Sequence, residues 1–252
     1  MSTVLYEIND KIARVTLNRP EKLNSINQEM RDELWAVWQD VKNNPDVWVV
    51  ILTGNGRAFC TGHDLKEFGI EQEMRGVGAD DLYLFQLTIY KPIIAAINGV
   101  CLAQGGGLAL CSDIRIASDQ AQFGWPQARR GISSVSGPCL LAHLAPTNRA
   151  LEFLMTGRMV SPQEAERFSL VNEVVAHEEL MPRVEALAQE IRSNAPLAVR
   201  AIKEVTMRGL GMQMEDRVRF ASLMLRRIEQ TADAKEGLTA FAEKRQPTWS
   251  GR

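Results

Sequence analysis

Two short, unbroken apolar segments, residues 47–53 (Val-Trp-Val-Val-Ile-Leu-Thr) and 93–98 (Ile-Ile-Ala-Ala-Ile-Asn), constrain this chain more than any other feature. A strand with one wet face alternates apolar and polar residues; these two do not, so both of their faces need cover. A third, weaker strand is expected at residues 113–117. Cover is at hand in residues 27–43, where Met30, Leu34, Val37, Trp38 and Val41 recur at helical spacing. Residues 3–8 and 11–17 read as a hairpin turning at Asn9-Asp10. Each buried strand runs into a glycine, Gly54 or Gly99, with a second glycine eight residues later, Gly62 or Gly107. That echo predicts successive turns of one spiral of strand and helix units rather than a single flat sheet.

From about residue 138 the pattern turns helical. Segments 138–145, 148–156, 179–193, 196–209, 213–229 and 232–244 carry spaced apolar residues and strong helix formers. Ser161-Pro162-Gln163-Glu164 has the form of a capping box with proline at the first helical position. The expected division is a strand-rich core over residues 1–190 and a helical region over 191–252. Helices with apolar faces and no strands to cover suit association between copies of the chain.

Length and composition set outer limits. The 252 residues suffice for one large core. With 29 basic and 31 acidic side chains the net charge is −2, which provides no field for general nucleic-acid binding. No run of about 18 apolar residues is present, so no membrane-spanning helix is expected. The N-terminal segment lacks the continuous apolar stretch of a secretory signal. Cys60, Cys101, Cys111 and Cys139 form no CxxC pair and read as small buried side chains in a reducing compartment. A cytoplasmic protein is the expectation.

Chemistry should reside where glycine follows a buried strand. The first such loop spans residues 57–66 and contains Gly62-His63-Asp64. The second spans residues 98–110 and contains Gly105-Gly106-Gly107 ahead of an apolar helical run. Amides at a helix start attract developing negative charge, and glycine lets a ligand approach the backbone closely. A glycine-rich turn can also serve packing alone. A G-x-G-x-x-G dinucleotide fingerprint, a phosphate-binding GxxxxGK[ST] loop and a G-x-S-x-G nucleophile elbow are all missing.

The two loops together, in order with four further segments, are similar to the enoyl-CoA hydratase/isomerase (crotonase) superfamily. The matching stretches are residues 17–26, 59–66, 96–107, 113–117, 121–124 and 241–247. The resemblance implies an α/β fold, a crotonase-type spiral of β-β-α units with a C-terminal helical region that builds trimers, often paired into hexamers. It implies an acyl-CoA thioester as ligand, no cofactor beyond the substrate's own coenzyme A, no metal, and two backbone amides gripping the thioester carbonyl. By the family's pattern those amides belong to His63 and to Gly106. The match also places His63, Asp64, Leu65 and Lys66 along the substrate channel. Lys22 and Leu23 fall near the nucleotide, where the two lysines suit phosphates as point charges.

The resemblance breaks at two positions. Hydratases of the family use two glutamates; the first lies three residues beyond the amide-bearing glycine, here Ala109, and the second follows a proline, here Gln127 after Pro126. Neither side chain is a general base. Other groups could take part: the His63 ring, which ordinarily titrates near neutrality, or Ser133, Ser134 and Ser136 toward a polar acyl group. Trp125 is expected as a pocket wall or a core residue. Arg129-Arg130 reads as a surface pair or a carboxylate site, and Asp113 and His143 as structural. Three readings follow: an enzyme working through a thioester enolate (hydration or dehydration, isomerisation, decarboxylation), a non-catalytic acyl-CoA binder, or a scaffold subunit.

Overall fold

The computed structural model describes residues 2–64 and 78–252. Ten strands and ten α-helices appear among them. The strands are β1 Val4–Asn9, β2 Ile12–Leu17, β3 Val49–Gly54, β4 Ala58–Cys60, β5 Ile93–Ile97, β6 Val100–Leu102, β7 Ile114–Ser118, β8 Gln122–Gly124, β9 Met159–Val160 and β10 Glu173–Val175. The helices are α1 Gln28–Asn43, α2 Ala79–Gln86, α3 Gln104–Leu110, α4 Ala142–Leu144, α5 Thr147–Thr156, α6 Pro162–Arg167, α7 Leu180–Arg192, α8 Pro196–Gly209, α9 Met214–Glu229 and α10 Ala232–Glu243.

Two sheets form, ordered β1-β2-β3-β5-β7-β10 and β4-β6-β8-β9. The segments β3-β4, β5-β6 and β7-β8 each place one strand in the large sheet and the next in the small one. The strands contributed by successive segments pair in parallel. The chain is therefore a spiral, as the glycine echo suggested. Gly54 and Gly99 sit where each segment passes from one sheet to the other. A Cβ at Gly54 would lie 2.3 Å from the carbonyl oxygen of Ala58, and one at Gly99 would lie 2.2 Å from that of Arg57. Only glycine fits either corner.

Both long apolar strands are covered on both faces. Val50 and Leu52 of β3, with Ile93, Ala95 and Ile97 of β5, face a core completed by Met30, Leu34, Trp38 and Val41 of α1. Val49 and Ile51, with Ile94 and Ala96, face Leu180, Val184 and Ala188 of α7. Asn27 caps α1 by accepting from the Met30 N–H (3.0 Å). Ser161 caps α6 by accepting from the Glu164 N–H (3.2 Å), while the Glu164 carboxylate turns to Arg158.

The hairpin departs from its expected turn. Asn9 still pairs with Ile12, and Asp10 and Lys11, both at positive φ (46° and 65°), form the loop. The short strands β4, β6, β8, β9 and β10 escaped the sequence reading because two or three residues show no periodicity. Cys60, Cys101 and Cys111 are buried, but Cys139 is exposed, on a π-helical turn at Gly137–Leu141. No helix among the described residues is long and apolar enough to cross a membrane.

An ion pair ties helix α8 to the sheet end. Lys203 of α8 donates to Asp113 at 2.6 Å and to the Lys91 carbonyl at 2.9 Å, and Asp113 also accepts from the Ile93 N–H at 2.7 Å. Asp113 is structural, as expected.

Candidate active site

A cavity of about 530 Å³ opens between the ends of the small sheet's strands and the loops that flank it. Its described wall takes Thr61, His63 and Asp64 from beyond β4, Leu102, Ala103 and Gln104 from the β6–α3 junction, and Asp80 and Tyr83 from α2. Pro126, Gln127 and Arg130 of a 3₁₀ turn, residues 132–136, and Lys22 and Ser25 complete it.

The loop after β4 is held by backbone pairing. The Ile26 N–H donates to the Gly62 carbonyl (2.8 Å) and the Asp64 N–H to the Ile26 carbonyl (3.0 Å), bridging Ile26 and His63. Asp64 forms an ion pair with Arg19 (3.1 Å), and Arg19 also donates to the Ser25 carbonyl (2.6 Å). Asn24 donates to the carbonyls of Asn55 and Ala58 (2.9 and 2.8 Å), fixing the other side of the loop.

The two chemistry-bearing loops are equivalent positions on successive turns. Cys60 of β4 pairs with Cys101 of β6. Two residues further, Gly62 and Ala103 both take positive φ (92° and 50°). The next residues are His63 and Gln104. A Cβ at Gly62 would stand 3.0 Å from the Ala103 Cβ and 3.3 Å from the Gln104 nitrogen, so the loops meet here. Gln104 is the first residue of α3, whose first ladder bond runs from the Gly107 N–H to the Ala103 carbonyl (3.0 Å). Its amide therefore precedes the helix's own hydrogen bonding. Ala103, at φ 50° and ψ −114°, occupies a strained conformation of the kind concentrated at functional sites.

Gly106 does not lie on this wall. The three glycines serve close packing: a Cβ at Gly105 would lie 2.3 Å from the Cys60 carbonyl oxygen, one at Gly106 2.5 Å from the Trp125 ring, and one at Gly107 2.5 Å from the Tyr83 hydroxyl. The eight-residue echo thus has the correct spiral and the wrong register, with Gly62 corresponding to Ala103 rather than Gly107. Ala109 is likewise buried inside α3, away from the wall. Trp125 is a core residue: 2% exposed, it packs edge-on against Phe153 and supports Gly106 from behind. Its indole donates to Ser136, which donates to the Ala103 carbonyl (3.0 and 3.1 Å). Leu23 is half-buried behind the loop, where its carbonyl accepts from the Thr61 N–H (3.2 Å).

Lys22, His63, Asp64, Gln127 and Ser134 are on the wall. Leu65 and Lys66 lie outside the described residues. Ser134 also accepts from the Gly137 N–H (3.3 Å), the local bond usual for a turn serine. Arg129 and Arg130 divide: Arg129 donates to the Thr156 carbonyl (3.0 Å), and Arg130 is on the wall. His143 is exposed and off it.

Sequence reasoning missed Gln104 and Tyr83. Gln104 is 2% exposed, and among the described residues neither polar atom of its side chain has a hydrogen-bond partner; the Gln127 side-chain oxygen is also buried without one. Buried orphans of this kind cost about 1–3 kcal/mol each, and a ligand or water that pairs them recovers that cost. A glutamine among glycines was the available signal. Tyr83 donates to the Gln104 carbonyl (3.3 Å), and burial holds its phenol well above its ordinary pKa, hence neutral.

Burial, and then the charge of nearby Arg31, push the His63 ring down to about 4. The ring is thus neutral at pH 7 and does not titrate near neutrality as expected from sequence. A native pKa below the unfolded value means that the unfolded chain binds more protons between about pH 6.5 and 4, so stability falls as pH falls through that window. His63→Gln should remove this dependence. Unfolding in urea at pH 7 and pH 4 should show the wild-type chain losing on the order of 3 kcal/mol more than the variant. Equal losses would mean that the ring is not held neutral.

Among the described residues no group of three or more His, Cys, Asp or Glu side chains could hold a metal ion.

Comparison with known proteins agrees with the spiral. The family profile described as Enoyl-CoA hydratase/isomerase matches residues 7–252. The chain is 36% identical to (E)-benzylidenesuccinyl-CoA hydratase of Thauera aromatica, over 98% of this chain and 99% of that one. It is 40% identical to carnitinyl-CoA dehydratase of Proteus mirabilis, over 96% and 95%. Among solved structures, enoyl-CoA hydratase of Bacillus anthracis superposes with a TM-score of 0.94 at 32% identity, covering 99% of this chain and 100% of that one. The continuous match in sequence and in fold places this chain in the enoyl-CoA hydratase/isomerase (crotonase) family of acyl-CoA enzymes.

Proposed function

We propose that this chain binds an acyl-CoA thioester in the cavity and polarises its carbonyl with the backbone amides of His63 and Gln104, so that reaction passes through a thioester enolate. The observation that carries this reading is the equivalence of those residues: each follows a positive-φ residue at the end of paired strands, and the loops touch. Two preorganised donors aimed at one oxygen stabilise the negative charge that enolate formation places there, and removing one such donor costs about 10²–10³ in rate. Amides and substrate suffice for this, so we propose no cofactor.

Lys22 and Arg130, both on the cavity wall, supply charge for the phosphates of coenzyme A. By the family spacing, the first acid-bearing position falls three residues after the amide residue. With Gln104 in that place it becomes Gly107 instead of Ala109, and it is still empty of acid. Gln127 remains at the second position. The neutral His63 ring is a weak base, because its conjugate acid is strong. Hydration by two carboxylates is therefore not the mechanism proposed, although relatives are named for hydration and dehydration of CoA thioesters.

A panel of acyl-CoA thioesters should raise the melting temperature, since a ligand bound only by the native state stabilises it. At least one should be consumed, with product read by mass spectrometry. Stabilisation without turnover across the panel would leave a binder rather than an enzyme; no stabilisation at all would remove both readings.

We also infer that further copies of the chain cover the apolar face of the C-terminal helices. Met214, Val218 and Leu225 of α9 and Leu238 and Phe241 of α10 are all more than half exposed. Such a face is stable in water only when covered. Sedimentation at micromolar concentration should give a trimer or hexamer, and a monomer would refute it. Free thiols suit the reducing conditions of the cytoplasm.

A further inference from the structure

The space that a side chain at position 107 would enter is already filled. Residues 104 and 107 lie one turn apart on the same face of α3, so a side chain at 107 would project beside the Gln104 amide. Position 107 is glycine, and a Cβ there would meet Cζ and Oη of Tyr83 at 2.5 Å. The phenol of α2 thus occupies the volume into which a carboxylate at 107 would extend. It is 4% exposed, yet it belongs to the cavity wall and its hydroxyl lies 3.3 Å from the Gln104 carbonyl. On the same wall the Gln127 side-chain oxygen is buried, an acceptor without a donor among the described residues.

We propose that Tyr83 is a catalytic residue whose hydroxyl relays a proton between water and the substrate's α carbon, in the place that position 107 leaves open. This rests on the acyl-CoA reading above. With an enoyl thioester bound, a water molecule donates one hydrogen bond to the Gln127 oxygen and another to Tyr83 Oη. Its oxygen adds to Cβ; a C–O bond forms, and the π pair moves through Cα onto the carbonyl oxygen between the two amides. The water proton passes to Tyr83 Oη as the Tyr83 proton passes to Cα; the carbonyl re-forms. One water is consumed and the tyrosine is unchanged. The phenol stays neutral throughout, in keeping with the burial that raises its pKa. A buried neutral hydroxyl can both give and accept a proton in one step, which neither glutamine can do.

The test uses crotonyl-CoA, with hydration followed by loss of the enoyl absorbance, on the full chain and three variants. Tyr83→Phe keeps the ring and removes the hydroxyl; kcat should fall by about 10²-fold or more, with KM within about threefold and the melting temperature unchanged. Tyr83→Ala should also be nearly inactive. Adding Gly107→Glu to Tyr83→Ala places a carboxylate in the vacated space and should recover at least about tenfold of the lost rate. Turnover by Tyr83→Phe within about threefold of wild type overturns the relay, as does a double variant no faster than Tyr83→Ala. A wild-type chain that crotonyl-CoA stabilises but that hydrates none of it also overturns the relay, leaving the acyl-CoA reading intact. Absence of stabilisation by any thioester overturns both.

Discussion

Gly62→Ala is expected to lower turnover of an accepted acyl-CoA by about 100-fold while leaving the fold in place, because small displacements of positioning groups cost about that much. Gly62 has a φ of 92°, and an added Cβ would press on the Ala103 Cβ at 3.0 Å and approach the Gln104 nitrogen at 3.3 Å. Relief has to come from one of the two loops, and either shift changes the placement of residue 63 relative to residue 104. The positive φ also costs stability, on the order of 1–3 kcal/mol. Gly251→Ala isolates that part: Gly251 has a φ of 72°, its added Cβ would meet nothing closer than 3.7 Å, and it lies outside the cavity wall. It should lower the melting temperature without changing kcat. Turnover by Gly62→Ala within threefold of wild type would place the carbonyl-binding amides elsewhere.

Lys203→Met is expected to destabilise the chain by about 3 kcal/mol at pH 7, as is usual when a buried charge loses its partner. The lysine side chain is 11% exposed and Asp113 23%, so the carboxylate left behind is largely cut off from water, keeping the Ile93 N–H as its hydrogen bond among the described residues and the charge of Arg115 nearby. Burial already holds the Asp113 carboxyl above its ordinary pKa even with Lys203 beside it. Without the lysine that native pKa climbs further. A native pKa above the unfolded value makes the defect grow as pH rises above the ordinary carboxylate range and fade as pH falls into it, where the native carboxyl is already protonated. Denaturant melts of Lys203→Met at pH 4 and pH 7 should show a smaller loss at the lower pH. Asp113→Asn/Lys203→Met should recover part of the loss at pH 7. An equal loss at both pH values would point to lost packing of the lysine stem instead.

The architecture was largely legible in residue patterns. Unbroken apolar runs announced strands covered twice, and α7 and α1 supply the covers. Helix α8 starts and stops where its spacing predicted, and Asn27 and Ser161 cap as their residue types suggest. Of the candidate site residues, His63, Asp64, Gln127, Ser134 and Lys22 line one cavity. Register within the second loop was not legible. Glycine marks close backbone approach without saying to what, and Gly105, Gly106 and Gly107 approach Cys60, Trp125 and Tyr83. Ala103 takes a positive φ of the kind a reader expects of glycine. Tyr83 carried no motif, because its relevance arises only from α2 lying against α3.

By itself, then, the order of residues determined the spiral, the family and the pair of loops, since periodicity and the Gly-His-Asp and triple-glycine segments are local properties. Tertiary structure alone decided which residue of the second loop lies on the cavity wall, which side chains there are buried with unpaired polar atoms and what occupies the space beside position 107. Those outcomes depend on distances between segments 20 or more residues apart, and such distances exist only once the turns of the spiral have stacked.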